Sequence, residues 1–187
     1  MFNSLSLDDL LAYTSWEREK WHDCLRKHGA SALEISAGPH GDGRFASVGD
    51  LVRHIFTAEK RYVERITGRT LTDFAAVPNN DIETLFQFSR ESRKELQELI
   101  ATYPEQGWDE VREFHLLGYF LRATPRKIVI HVLTHEIRHW AQIATLLRLN
   151  GMVDDFHDFL ASPVMGGEFR PETGTELASA AQASKAK

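Results

Sequence analysis

The 187-residue chain, with 42% hydrophobic residues, is long enough to bury the core of one globular domain, with or without a tail. Its formal net charge of -5 argues against general affinity for nucleic acid or anionic membranes, and no apolar run approaches the roughly 20 residues of a membrane span. The start of the chain lacks the basic and apolar regions of a secretory signal, so we expect a cytoplasmic protein.

The first predicted helix spans about 6–28, because Ser6 with an acidic residue three positions later is a capping pattern and a glycine follows the end. Cys24 lies on this helix. As the single cysteine it excludes an intrachain disulfide, and we interpret it as a space-filling residue. A loop rich in glycine follows over 29–46. The second predicted helix spans about 47–68, with a serine cap at its start and a glycine at its end.

The third predicted helix is capped by Asn80 and ends before the proline that follows Tyr103. Residues 103–124 are bulky and aromatic, and they suit either a short helix or an extended cover over the core. The fourth and longest predicted helix begins at a threonine–proline pair and runs over about 125–150.

No internal repeat and no convincing run of alternating strands interrupts these helices, so the predicted fold is an all-α four-helix bundle. We place the bundle domain at residues 1–170. Beyond it the composition falls to alanine, serine, threonine, glutamate and lysine, which predicts a disordered tail over residues 171–187.

Three histidines recur at every fourth position of the last predicted helix: His131, His135 and His139. Adjacent histidines of this series lie on one helix face and can bind one metal ion. The outer two, His131 and His139, are separated by about 12 Å along the helix axis, so all three cannot bind the same ion. Spacing alone does not choose between the two pairs. A third ligand must come from elsewhere, and His54 on the inner face of the second helix is the candidate. The remaining histidines are interpreted as surface or loop residues: His22, His28, His40, His115 and His157.

The segments 47–59 and 131–151 resemble the two signature helices of DinB/YfiT-like proteins, and the spacing of the four helices matches over about residues 5–151. The resemblance implies a four-helix bundle in which one histidine of the second helix and a His-x-x-x-His pair of the last helix bind a divalent metal. Carried over by position, the implied ligands are His54, His135 and His139. Zinc or nickel is the expected metal, with iron or manganese as further options.

The resemblance to DinB/YfiT-like proteins also bears on residues next to the implied ligands. His131 becomes a residue that packs beside the ligands, and Gln142 matches a glutamine that is common in the motif. Trp140 and Ala141 stand where many members of the family have arginine and glycine. This departure leaves the ligands alone but can reshape the pocket.

Three neutral histidines leave open positions on an ion for water or substrate, which is typical of a catalytic site. Characterised relatives include thiol-dependent S-transferases and isomerases that act with bacillithiol or mycothiol, while many others have no assigned reaction. The resemblance therefore implies a metal-dependent enzyme on a small molecule. Transfer involving a low-molecular-weight thiol is the leading chemistry and hydrolysis is the next. No basic cluster that would bind such a thiol is recognisable in the sequence. Homodimers are common among the relatives, and we expect one here.

A zinc-peptidase pattern, His-Glu-x-x-His, also fits the segment from His135 to His139, with Glu136 as general base. The wider context disagrees, because Gln142 and Thr145 stand where a metzincin has glycine and histidine. Later glutamates that would have to serve as a ligand lie in a loop or in the tail: Glu168 and Glu172. We predict that Glu136 is a carboxylate on the helix flank, with a base role near the metal as the alternative.

A bundle whose metal, or empty histidine cluster, serves stability or partner binding is the non-enzymatic alternative. It differs from an enzyme in whether the open positions on the ion can be reached from solvent. The aromatic segments 114–121 and 156–159 would either form one wall of a pocket or plug it, and the sequence does not decide between these arrangements.

Overall fold

Four long helices form the body of the protein, in a computed structural model that describes residues 5–116, 118–153, 156–167 and 169–170. The helices in chain order are α1 (Leu7–His28), the short α2 (Ser31–Glu34), α3 (Val48–Thr67), α4 (Ile82–Thr102) and α5 (Pro125–Leu149). Both α1 and α3 pack against α4 and α5, so the predicted all-α four-helix bundle is confirmed. Within the described residues no helix is long and apolar enough to cross a membrane. The predicted tail, residues 171–187, lies outside the described residues.

Side-chain caps begin the four long helices. Ser6 Oγ accepts a hydrogen bond from the Asp9 N–H at 3.0 Å, and the Asp9 carboxylate accepts one from the Ser6 N–H at 3.0 Å. The predicted caps of α3 and α5 are confirmed. The cap of α4 is Asp81 and not the predicted Asn80, because the Asp81 carboxylate accepts from the Thr84 N–H at 2.6 Å. A negative charge at this end of a helix is also favoured by the helix dipole.

An antiparallel hairpin precedes α5, made of β1 (Arg112–Leu116) and β2 (Tyr119–Ala123). For residues 103–124 the sequence suits either a short helix or an extended cover over the core. The extended cover is correct over the two strands. Gly118 has φ of 80° between them, a conformation that glycine adopts without strain. The Phe114 ring meets Tyr62 of α3 at 6.3 Å between centroids, so the hairpin lies over α3. Two short strands are stable only against such a support.

The largest buried side chains form an aromatic core between the helices. Trp21 of α1 and Trp140 of α5 stack with centroids 5.1 Å apart and planes 8° apart, and Phe56 meets Phe86 edge-on at 5.2 Å. Cys24 belongs to the same cluster and is 3% exposed, which confirms its prediction as a space-filling residue. Trp140 is fully buried, so the departure from the family pattern at this position belongs to the core and not to a pocket.

His22 is buried on the inner face of α1, so its interpretation as a surface or loop residue is wrong. Its ring stacks on Phe86 of α4 with centroids 4.3 Å apart and planes 13° apart. The apolar stripe of α1 is broken in sequence, and aromatic neighbours from α4 and α5 widen the face that α1 buries. His22 therefore lies at the edge of the core, where it stacks on Phe86.

Gly49 lies in the first turn of α3, where another segment of backbone passes directly over it. A Cβ on Gly49 would lie 2.0 Å from the Asn79 carbonyl oxygen. We expect Gly49→Ala to lower the free energy of unfolding by at least about 1–3 kcal/mol, because the backbone at Asn79 must move to make room for the new Cβ. Thermal denaturation followed by circular dichroism measures this. Alanine is the better helix former, so an unchanged or raised Tm would show that the segment at Asn79 shifts freely.

Candidate metal centre

Three histidines from two helices converge at one point of the bundle. His54 projects from α3, and His135 and His139 project from successive turns of α5. His135 Nε2 lies 3.1 Å from His54 Nε2 and 3.0 Å from His139 Nε2. Among the described residues, these three offer ligand atoms that all lie within 4.8 Å of one another and could hold a metal ion. They are the three histidines that the family resemblance implied.

The distances of His135 Nε2 from the Nε2 atoms of His54 and His139 fit a single divalent ion. Nitrogens at about 2.0–2.1 Å from an ion, with angles of about 90–110° between them, lie about 2.9–3.4 Å apart. Hydrogen bonds alone satisfy this arrangement only in part, because a single N–H on His135 Nε2 serves one of its two neighbours at a time. One ion would use all three lone pairs together. The donor set of three imidazoles suits zinc and nickel, and also iron.

Burial keeps the three imidazoles neutral, which is the form that binds metals. Loss of solvation is the largest cause, and it lowers the pKa of His54 to about 3, of His135 to about 2 and of His139 to about 4. The second cause at His54 and His135 is repulsion by a protonated His139, which also lowers their pKa values. At His139 the hydrogen bond that its ring donates to Gln142 opposes this lowering of the pKa. The lone pairs are therefore available at neutral pH.

Gln142 orients His139 within this group. Its Oε1 accepts a hydrogen bond from His139 Nδ1 at 2.5 Å, and its Nε2 donates to the His40 carbonyl at 3.4 Å. With Nδ1 as the donor, Nε2 of His139 carries the lone pair that faces the other two histidines. The Phe45 ring covers another side, with its centroid 4.6 Å from that of His54 and 6.0 Å from that of His139.

His131 lies one turn before His135 and outside the group of three. Its ring packs 5.4 Å from the His135 ring and 5.5 Å from the Tyr62 ring, measured between centroids. Burial, followed by the charge of neighbouring cations, lowers the pKa of His131 as well. This position beside the group agrees with the packing role that the resemblance implied. That His131 supplies no ligand stays a prediction.

A cavity of about 790 Å³ opens beside the histidines, and His54 and His135 lie in its wall. His115 and Leu116 of the hairpin form another part of the wall, so the described part of the aromatic segment 114–121 borders the cavity and does not fill it. The volume lies in the range of small-molecule sites. Further rings line the cavity, from Phe45, Tyr62, Phe74 and His131.

The segment that follows α5 packs elsewhere. His157 Nδ1 lies 3.0 Å from the Glu17 carboxylate, and the His157 carbonyl accepts a hydrogen bond from Tyr13 Oη at 3.0 Å. The Phe159 ring meets Tyr13 edge-on at 5.1 Å. These contacts hold the segment against α1, and none of its described residues lines the cavity. The segment 156–159 is therefore neither a wall nor a plug of this cavity.

Four arginines also line the cavity, where the sequence indicates no basic cluster: Arg44, Arg61, Arg65 and Arg138. Part of the cluster has a signal in the sequence, because Arg61 and Arg65 follow His54 by about two and three helical turns and so share its face. Arg138 belongs to a different helix and Arg44 to a loop. Only their packing against α3 brings these two charges to the same place.

Glu136 is 1% exposed and lies in a buried ion cluster, so its prediction as a carboxylate on the helix flank is wrong. Arg18 donates to both oxygens, from Nε to Oε1 and from Nη2 to Oε2, and Arg93 Nη2 lies 2.6 Å from Oε2. Trp140 Nε1 donates to Oε1 at 3.1 Å. Glu59 of α3 binds the same two arginines. Both oxygens of Glu136 are thus held by donors.

The zinc-peptidase alternative loses support from this arrangement. Burial raises the pKa of Glu136, but Arg18 and Arg93 outweigh burial and hold it below its usual value. A carboxylate of low pKa that is bound by two guanidinium groups is poorly suited to take a proton from water. The later glutamates considered as ligands lie outside the described residues: Glu168 and Glu172.

Comparison with known proteins agrees with the helical architecture. The model of the DinB family matches residues 1–168 of the 187-residue chain. No curated protein matches the chain. The match includes all four long helices as well as His54, His135 and His139, and it confirms the family that the sequence resembled. The chain belongs to the DinB family.

Proposed function

We propose that this DinB-family protein is a metal-dependent enzyme that acts on a small molecule. One observation carries the proposal: His54 and His135 belong both to the group of three histidines and to the wall of a cavity of about 790 Å³. An ion held by His54, His135 and His139 would be within reach of a ligand in that cavity. An ion that serves only stability is normally closed in by four protein ligands.

The three histidines would hold the ion, for which zinc or nickel is our first expectation and iron or manganese the next. A bound divalent ion supplies a Lewis acid, which lowers the pKa of a thiol or of water. Gln142 keeps Nδ1 of His139 engaged and so fixes the direction of its Nε2. Phe45 packs on the rings of His54 and His139 and limits the access of water from its side.

Transfer involving a low-molecular-weight thiol is the leading chemistry, and hydrolysis is the second. Hydrolysis usually needs a base that takes a proton from water. Among the described residues, the cavity wall offers His115 and His131 for this role but no Asp or Glu, which leaves hydrolysis as the second candidate. Glu136 is committed to its arginines. A thiolate nucleophile needs no further base once its proton is lost. Thiol transfer in DinB relatives supports the choice by analogy.

Cobalt(II) in place of the native metal tests whether the site has an open position. Metal-free protein is loaded with one equivalent of cobalt and titrated with 2-mercaptoethanol while the absorption spectrum is recorded. We expect a thiolate-to-cobalt charge-transfer band that saturates with the thiol concentration. Ethylene glycol, which replaces the thiol with a hydroxyl, is the matched control and should produce no such band.

A cobalt spectrum that does not respond to the thiol would contradict the proposal. It would favour the non-enzymatic alternative, in which the metal only stabilises the bundle. Addition of metal should raise the melting temperature under either function, because a bound ion stabilises the folded state, so thermal stability alone does not separate them. The band is therefore the informative readout.

A further inference from the structure

The cavity beside the histidines is basic, although the chain has a net charge of -5. Four arginines line the cavity, and no Asp or Glu is among the described residues of its wall. Because positive groups gather here against the overall charge, the potential inside the cavity is positive. Concave walls of low dielectric strengthen such a potential. The four residues are Arg44, Arg61, Arg65 and Arg138.

Three of these arginines have no carboxylate partner in the described part of the chain. No Asp or Glu oxygen there lies within 4.0 Å of the guanidinium nitrogens of Arg61, Arg65 or Arg138, whereas Asp42 lies 3.6 Å from Arg44. Exposed arginines elsewhere bind carboxylates at 2.6–3.2 Å. The Nε of Arg61 is buried and has no hydrogen-bond partner among the described groups. Buried donors of this kind normally have an acceptor, which here would come from a ligand.

Arg61 and Arg65 lie one turn apart on α3 and place two like charges side by side. Arg65 Nη1 donates to the Arg61 carbonyl at 3.3 Å, and the guanidinium lies 5.5 Å from the Tyr62 ring and 5.7 Å from the Phe114 ring. Burial, and then the charge of Arg61, lower the pKa of Arg65, yet a guanidinium stays charged at neutral pH. The two guanidinium groups therefore repel each other, and a bound anion would relieve this repulsion.

Arg138 connects the basic wall with the metal centre, because its Nη2 lies 3.4 Å from His139 Nε2. Arg61 and Arg65 lie about 10 and 16 Å from His54 along the α3 axis. The side chains of both arginines nevertheless line the same cavity as His54. A small molecule of several bonds can thus present one end to the histidines and its charged groups to the arginines.

We infer that the cavity binds a small molecule with at least two acidic groups, carboxylates or phosphate, which the arginines hold while its reacting group faces the histidines. Guanidinium groups bind both kinds of oxyanion through paired, charge-assisted hydrogen bonds. Tyr62 and Phe74 offer apolar contact to the body of the molecule. The inference rests on the proposed function only for the orientation of the reacting group, because the anion site itself needs no metal.

Calorimetric titration of metal-free protein tests the anion site separately from the metal. The metal is removed with a chelator, which is dialysed away, and the probes are succinate, inorganic phosphate and the neutral analogue succinamide. We expect saturable binding of at least one of the two anions, weakened by added salt, and no binding of succinamide. Tighter binding of succinate would identify a polycarboxylate as the ligand class, and tighter binding of phosphate would identify a phosphate ester.

The double variant Arg61→Gln/Arg65→Gln removes both charges and should weaken anion binding at least about tenfold, because charge-assisted hydrogen bonds are the strong ones. It should fold, since it relieves a like-charge repulsion. Arg90→Gln on α4 is the matched control, because Arg90 is exposed and does not line the cavity. Its affinity should equal that of the wild type. A wild type that binds neither anion, or a double variant that binds as the wild type does, overturns the inference.

The two experiments separate this inference from the proposed function. A wild type that shows the cobalt–thiol band but binds neither anion contradicts the anion site and leaves the metal-dependent function in place. Arginine-dependent anion binding without that band supports the anion site and contradicts the open metal centre. Each result therefore identifies which of the two proposals has failed.

Discussion

Replacing His54 or His139 with alanine should abolish stoichiometric binding of a divalent metal, whereas His131→Ala should keep most of it. The reason is geometric, because the Nε2 atoms of His54 and His139 lie within 3.1 Å of His135 Nε2, and His131 is outside the group. Two remaining imidazoles hold an ion too weakly to survive purification. Elemental analysis by mass spectrometry, on protein purified without a histidine tag, measures the metal per chain.

His131→Ala is the matched control, since it removes the same side chain from the helix that carries His139 and from the cavity wall that contains His54. Circular dichroism shows whether each variant keeps its helices. If His131→Ala strips the metal and His139→Ala does not, the assigned pair is wrong. A metal-free wild type that takes up neither zinc nor nickel would indicate histidines that are hydrogen-bonded within the bundle. The proposed enzyme would then lose its main support.

Glu136→Gln should lower the free energy of unfolding by about 3–5 kcal/mol, the usual cost of leaving a buried charge without its partner. Arg18 and Arg93 carry two positive charges in the interior, and Glu59 and Glu136 carry two negative ones. Glutamine keeps the shape of the side chain but leaves two cations facing one anion. Chemical denaturation at neutral pH measures the difference between the variant and the wild type.

Glu98→Gln is the control for this substitution, because Glu98 is exposed on α4 and its contact with Lys94 is long, at 3.8 Å. Such surface pairs contribute little, so its stability should stay close to that of the wild type. The metal content of Glu136→Gln should also be unchanged. A Glu136→Gln protein that keeps both its stability and its metal but loses activity would contradict the structural role and support the base role of the peptidase pattern.

The acid side of the stability curve is a second signature of the same cluster. Burial raises the pKa of Glu136, but Arg18 and Arg93 hold the folded-state pKa below 4.5. The stabilisation is therefore complete above the unfolded-state value of 4.5 and is lost as the pH falls through the lower folded-state pKa. In Glu136→Gln the decline of stability with acid should be less steep than in the wild type.

Interactions within single turns explain why the helices and the paired histidines were predictable. A cap such as Ser6 binds an N–H group three residues away, and His135 and His139 share a face through helix geometry alone. The error at Asn80 has the same local origin, because Asp81 competes for those N–H groups with a negative charge. The hairpin escaped prediction because its two short strands depend on their support by α3.

Contacts between distant segments determine the pocket and the buried charges. Glu136 meets Arg18 across 118 residues of sequence, and His54 meets His135 across 81. Periodicity identifies the residues that share one face of a helix, but it does not say which faces will meet. For this reason the sequence indicates only a carboxylate on the helix flank at Glu136, and its buried ion pairs form only when α1 and α4 pack against α5. The basic character of the cavity likewise exists only once α5 and the loop with Arg44 lie beside the arginines of α3.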